Sequence, residues 1–181
     1  IDRLTGVTEE YLRLARLPMP RLEREQLGEI VDEVGRFVAR EFETSLITLH
    51  VEVEPGLPLV AADEPQIRQA LLNLLRNARE SMPDGGRVDL SARSVEDGIE
   101  ILVTDRGAGV PREKRPHIFD LFYSTKERGS GLGLPLTQQI VSAHGGTITC
   151  ENAEGGGTVF TMWFPRARAD EAAFELAARE E

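Results

Sequence analysis

Residues 105 to 131 constrain this chain more than any other stretch. They run from Asp105-Arg-Gly-Ala-Gly109 through Pro111 and Pro116 to Gly129-Ser-Gly131, with several charges and little periodicity. The flanks are regular: Ile99 to Thr104 reads as a strand and Gly133 to His144 as a helix. A loop this long inside a compact domain is usually functional or mobile. The remainder of the chain must therefore be a scaffold that holds the loop's two glycine-bearing ends.

That scaffold is legible in the pattern of apolar residues. Leu27, Ile30, Val31, Val34 and Val38 predict a helix over about 25–41, and Ser45 to Val53 alternates as a strand. Leu57 to Ala61 is a short second strand. Asp63 is placed to cap a long helix with Pro65 in its first turn, ending near Met82 at Pro83-Asp84-Gly85-Gly86. Arg87 to Arg93 pairs with Ile99 to Thr104 around Glu96-Asp97-Gly98, and Thr147 to Glu151 pairs with Thr158 to Phe164 around Glu154-Gly-Gly-Gly157. Long helices mixed with strand pairs predict an α+β domain, a mixed sheet covered on one face by helices.

The ends read differently. Ile1, Leu4, Val7, Tyr11, Leu14 and Leu17 form a helical stripe stopped by Pro18 and Pro20. So short a helix needs a partner, either a longer hairpin or dimer bundle or the domain itself. The tail from Arg166 is rich in Ala and Glu and reads as a solvated helix or linker. The expected division is 1–20 for helix and linker, 21–166 for the domain and 167–181 for an acidic tail. Opening on Ile1 rather than Met, the chain is expected to be part of a longer protein.

Composition narrows the function. The 181 residues suit one domain with an appendage, and a net charge of −10 argues against nucleic acid or an anionic membrane as partner. No apolar run approaches the roughly 18–20 residues that span a bilayer. Cys150 is the only cysteine, which excludes an internal disulfide and a cysteine-built metal cluster.

Four clusters carry candidate chemistry. Asn73 and Asn77 lie four apart on one face of the long helix, either capping nearby backbone or offering an amide oxygen to a hard cation such as Mg²⁺. Asp105 follows a strand and precedes Gly107 and Gly109; this is either a plain turn or a carboxylate that accepts from an exocyclic amine while a ring approaches the glycines. Gly129-Ser-Gly131-Leu-Gly133 opens a helix, as a hinge or as a row of N–H groups aimed at an anion. Phe119 and Phe122 are placed to anchor the loop, with Lys126 and Arg128 beside the glycines as phosphate contacts or a solvated pair.

In this order the clusters resemble the N, G1, F and G2 boxes of histidine kinase catalytic domains. Gly155-Gly-Gly157-Thr158-Val-Phe160 resembles the last glycine motif of that fold, and Ile140 to Ile148 its helix-to-strand junction. The likeness spans about 27–164, and Phe122-Tyr-Ser-Thr-Lys126 is most similar to the nitrogen-regulatory sensor kinases. It implies a two-layer α/β sandwich of the Bergerat type behind a partial dimerisation helix.

The resemblance also implies roles. Asn77 would hold Mg²⁺, Asp105 would receive the adenine amino group of ATP, and Gly107 and Gly109 would let the base approach. Gly129, Ser130, Gly131, Leu132 and Gly133 would shape the lid around the phosphates, with Thr158 on the adenine side and Arg76 and Lys126 as phosphate contacts. Hydrolytic members of the superfamily of gyrase, Hsp90 and MutL carry a glutamate base one turn before the Mg²⁺ asparagine. Here that residue is Asn73, which has no useful basicity. The expected catalytic set is thus Asn73, Asn77 and Lys126, for transfer to histidine rather than to water.

None of His50, His117 and His144 has the family's phosphoacceptor surroundings, so the acceptor is expected upstream, on a dimerisation domain. A response regulator downstream, a homodimer of the whole protein and a cytoplasmic location (with a parent that is either soluble or membrane-anchored) complete the expectations. A hydrolytic ATPase and a non-catalytic nucleotide-sensing module are the rival readings.

Overall fold

The computed structural model describes residues 17–124 and 130–167. The stripe of residues 1–16, the tail 168–181, and Lys126, Arg128 and Gly129 lie outside the described residues.

Strand β1 (Glu23–Glu25) leads into helix α1 (Leu27–Thr44) and strand β2 (Ile47–Val53), followed by β3 (Val60–Ala62) and helix α2 (Glu64–Glu80). Strands β4 (Gly86–Val95) and β5 (Gly98–Asp105) form the first long hairpin. After a 3-10 turn at Arg115–His117 come helix α3 (Gly133–Ala143) and the hairpin β6 (Thr147–Asn152) and β7 (Thr158–Pro165). The sheet has the order β2-β4-β5-β7-β6; only the β2–β4 pair is parallel. The expected mixed sheet with helices on one face is what folds. Among the described residues no helix is long and apolar enough to cross a membrane.

Alternation explains the layering. Val88, Leu90 and Ala92 of β4, Ile99, Ile101 and Val103 of β5, and Phe160, Met162 and Phe164 of β7 are buried, each separated by a less buried residue. Leu27, Ile30, Val31, Val34, Val38 and Phe42 form the buried stripe of α1, and each such side chain contributes roughly 1.5–3 kcal/mol when fully buried.

Helix α2 begins as its sequence predicts. The Asp63 carboxylate accepts from Gln66 N at 3.1 Å, with Pro65 in the first turn. Two features depart from expectation. Residues 23–25 form β1, an antiparallel partner for β3 (Glu25 opposite Val60), where the predicted helix was to start near Glu25. The connector before it is also docked: Gln66 Nε2 donates to Pro18 O at 3.0 Å, Arg21 N donates to Asp63 Oδ2 at 2.9 Å, and Leu17 packs on the core.

Candidate functional site

Helix α2 sets the spacing of the site. Asn73, Asn77 and Ser81 follow one another at intervals of four, so they share one face, about 6 Å apart along the axis. Asn73 reaches α3: its Nδ2 donates to Gly133 O at 3.3 Å and to Thr137 Oγ1 at 3.4 Å. Thr137 is buried and itself donates to Gly133 O at 2.9 Å. At the other end, Ser81 reaches β5, with its Oγ 3.2 Å from Asp105 Oδ1. Asn77 is half-buried and stands midway between these two anchors.

A second link makes α2 and α3 antiparallel. His144, which caps the end of α3, is buried; its Nδ1 is 2.7 Å from Ile140 O, and its Nε2 accepts from Asp63 N at 3.0 Å. With Nε2 accepting from Asp63 N, Nδ1 is the nitrogen that faces Ile140 O as donor. Both nitrogens are occupied, so this histidine is a structural pin.

Asp105 ends β5 and is 3% exposed. Its Oδ1 accepts from Gly107 N at 2.8 Å as well as from the Ser81 side. Gly107 must lack a side chain, because a Cβ there would lie 2.3 Å from Ser81 Oγ. The turn after β5 then interlocks with the β6–β7 turn: Arg106 Nη1 donates to Glu154 O at 2.8 Å and Val110 N to Asn152 Oδ1 at 3.2 Å. Gly157, at φ +96°, lies so close that a Cβ would come within 1.9 Å of Asp105 O. Thr158, next in line, is buried and pairs with Asn152. The structure therefore brings Asp105, Gly107, Gly109 and Thr158 into one wall.

Cys150 stands near this wall, half-buried on β6. Burial pushes its thiol up to about 11; Arg115 opposes the rise, while Asp105 and Glu151 add to it.

The far side is the mouth of the long loop. Phe122 N donates to Gly131 O at 3.1 Å, which closes a neck between the two strands of the loop. Gly131 has φ +70°, and a Cβ there would lie 2.5 Å from the Phe122 carbonyl carbon. Leu132, 1% exposed, is buried at the start of α3, and its N–H donates to Ser130 Oγ at 3.3 Å. Of the two predicted anchors only Phe119 packs on the core, beside buried Ile118; Phe122 is 56% exposed with φ +63°. Its backbone holds the neck while its ring faces outward.

Arg76 is not brought to the site. It is exposed and lines a groove of about 170 Å³ between α1 and α2, with Phe37, Glu41 and Arg79 among its neighbours. The helix places it about 100° around from Asn77. Sequence reading missed Ser81, which a second step of four along the Asn73–Asn77 face would have found, and it missed the pairing of His144 with Asp63.

Among the described residues no three His, Cys, Asp or Glu stand together as a cage. The amide oxygen of an asparagine such as Asn77 is the kind of hard donor that Mg²⁺ accepts, alongside waters and phosphate oxygens.

Residues 62–168 match the family model described as "Histidine kinase-, DNA gyrase B-, and HSP90-like ATPase". The sensor histidine kinase ZraS of Klebsiella oxytoca is 35% identical over 165 residues, covering 91% of this chain and 36% of the relative. Full-length ShkA in complex with AMPPNP superposes with a TM-score of 0.80 at 28% identity, over 92% of this chain and 37% of that one. ThkA in complex with the response regulator TrrA superposes with a TM-score of 0.77 at 27% identity, over 92% and 48%. The chain thus spans about a third of the length of the curated relative it matches.

Proposed function

Since the chain belongs to the histidine kinase-, DNA gyrase B- and HSP90-like ATPase family, we propose that it is the ATP-binding catalytic domain of a two-component sensor histidine kinase, passing the γ-phosphoryl of ATP to a histidine on a dimerisation domain. The observation that carries this reading is Asn73. Its amide is engaged with Gly133 and Thr137 at the position where hydrolytic members hold a glutamate base. Water would find no base there, whereas a histidine nucleophile brings its own basic nitrogen.

Substrate binding follows from the two anchors of α2. Asp105, Gly107, Gly109 and Thr158 would take the adenine, and Ser130, Gly131, Leu132 and Gly133 would line the phosphates, with Lys126 and Gly129 completing that side. Asn77, between the two, would hold Mg²⁺, whose chemistry when bound is to neutralise phosphate charge. Arg76, turned to the α1–α2 groove, is better placed to serve the helix pair than the phosphates. What these residues supply is positioning and electrostatic stabilisation of an in-line transfer. The response regulator and a homodimer through the upstream helix are the partners this reading implies, with residues 21–166 as the catalytic unit.

The chain should bind Mg-ATP in a calorimeter, leave itself unlabelled by radioactive ATP, and phosphorylate a supplied dimerisation domain on an acid-labile histidine. Steady phosphate release without an acceptor, abolished by Asn77→Ala, would overturn the kinase reading in favour of an ATPase.

A further inference from the structure

Ser81 has no place among the motifs, yet it touches the carboxylate on which base recognition is proposed to rest. It caps the C-terminal end of α2, half-buried, with its Oγ 2.7 Å from Ala78 O and 3.2 Å from Asp105 Oδ1. A hydroxyl has one proton, so it is shared between these two acceptors. Gly107 N supplies a second donor to the same Oδ1 at 2.8 Å. The missing Cβ of Gly107 is what lets Ser81 come this close, since a Cβ would stand 2.8 Å from Ser81 Cβ. Both contacts fall on one carboxylate oxygen and come from two different elements, the end of α2 and the turn after β5.

We propose that Ser81 is a positioning residue for base specificity: with Gly107 N it pins Oδ1 of Asp105 and turns Oδ2 to accept from the exocyclic amine of a 6-aminopurine nucleotide. This rests on the reading of Asp105 as the base acceptor. A carboxylate held by one oxygen presents the other in a fixed direction, and a buried acceptor discriminates strongly against a ligand that lacks the donor. A 6-oxo purine would set a carbonyl oxygen against Oδ2, two acceptors facing each other. Ser81 thereby also ties the helix that carries Asn77 to the residue that would read the base, so the proposed metal and base positions share one frame.

The test is calorimetric titration of the full chain and of Ser81→Ala with three nucleotides: ATP, the 6-oxo analogue ITP, and purine riboside triphosphate, which lacks the 6-amino group. Wild type is expected to prefer ATP over both analogues. Ser81→Ala should lose about three- to tenfold in ATP affinity, the worth of one hydrogen bond, while binding the des-amino analogue as wild type does. Its preference for ATP over that analogue then narrows by the same factor. Equal losses for both nucleotides would mean that Ser81 only stabilises the fold, and no loss would mean that it does nothing for the carboxylate; either result overturns the proposal. A wild type that binds ATP and the des-amino analogue equally would overturn the Asp105 reading itself, and this proposal with it. That failure is visible before any variant is made.

Discussion

The two ends of the site are built by different means. At the proposed base end, Asp105, Gly107, Ser81 and Gly157 interlock through buried or half-buried groups, and exposed Asn152 joins them through Val110 N, with contacts as short as 2.8 Å and backbone packed so tightly that Gly157 has no room for a methyl group. At the proposed phosphate end, Phe122 N donates to Gly131 O across the described mouth of the loop, with more than half of Leu121 and Phe122 exposed on its rim. The Asn73 contacts that hold α3 there are 3.3 and 3.4 Å, at the long edge of hydrogen bonding. If the first end selects a base, as proposed, it gains from rigidity; if the second admits and releases a nucleotide, it gains from contacts that are easily broken.

Placing the same small change at each end would break this comparison most directly. Gly157→Ala sets a Cβ against the Asp105 carbonyl at a φ of +96°, inside a wall that has nowhere to shift. It should cost about 3 kcal/mol or more in urea unfolding, or prevent folding altogether. Gly131→Ala meets the Phe122 backbone at 2.5 Å, but on an exposed rim. Its expected cost is about 1–2 kcal/mol, still below that of Gly157→Ala, with a larger effect on ATP affinity than on stability. Equal losses at the two sites would remove the distinction between a fixed wall and a yielding mouth.

Two asparagines sharpen it further. Asn77→Ala should lower phosphotransfer to a supplied dimerisation domain on the order of 100-fold or more while leaving the melting temperature within a few degrees, because Asn77 is expected to serve the metal rather than the core. Asn73→Asp keeps the size but replaces the donor with a carboxylate facing Gly133 O, so it should destabilise by roughly 1–2 kcal/mol in urea titrations. It should not raise ATP hydrolysis, since the new carboxylate would have lost the contact that holds α3 in register. A gain in hydrolysis with unchanged stability would show that the Asn73 amide matters for its chemistry alone.

Local signals made most of the scaffold legible. Asp63 and Pro65 announced α2, and strict alternation announced β4, β5 and β7, because each depends on neighbours within a few residues. Strand β1 was not legible: Glu23-Arg24-Glu25 has no apolar alternation, and it is a strand because β3 offers it an edge. Phe122 was misread as an anchor, since an apolar residue three after Phe119 fits a helical face, whereas the chain leaves helical geometry at φ +63°. Arg76 was carried over from the resemblance as a phosphate contact, although consecutive helical residues point in different directions and it lines the α1–α2 groove. Ser81 was missed because its partner Asp105 lies 24 residues away across the fold.

Cys150 probes the proposed base end without a mutation. Burial raises its thiol from an ordinary 9.0 to about 11, with Asp105 and Glu151 adding to the rise against the pull of Arg115. The raised value means that the folded state favours the neutral thiol; this contribution is complete below pH 9.0 and fades as pH climbs toward 11. Only the thiolate attacks iodoacetamide, so at pH 8 alkylation of the folded chain should run roughly a hundredfold slower than in urea. The rate should climb about tenfold per pH unit up to the raised value, followed by mass spectrometry. If ATP fills the wall as proposed, saturating nucleotide should slow the reaction again, by covering the space beside Asp105. Rapid alkylation at pH 8 in the native state would show that this end of the site opens as readily as the other.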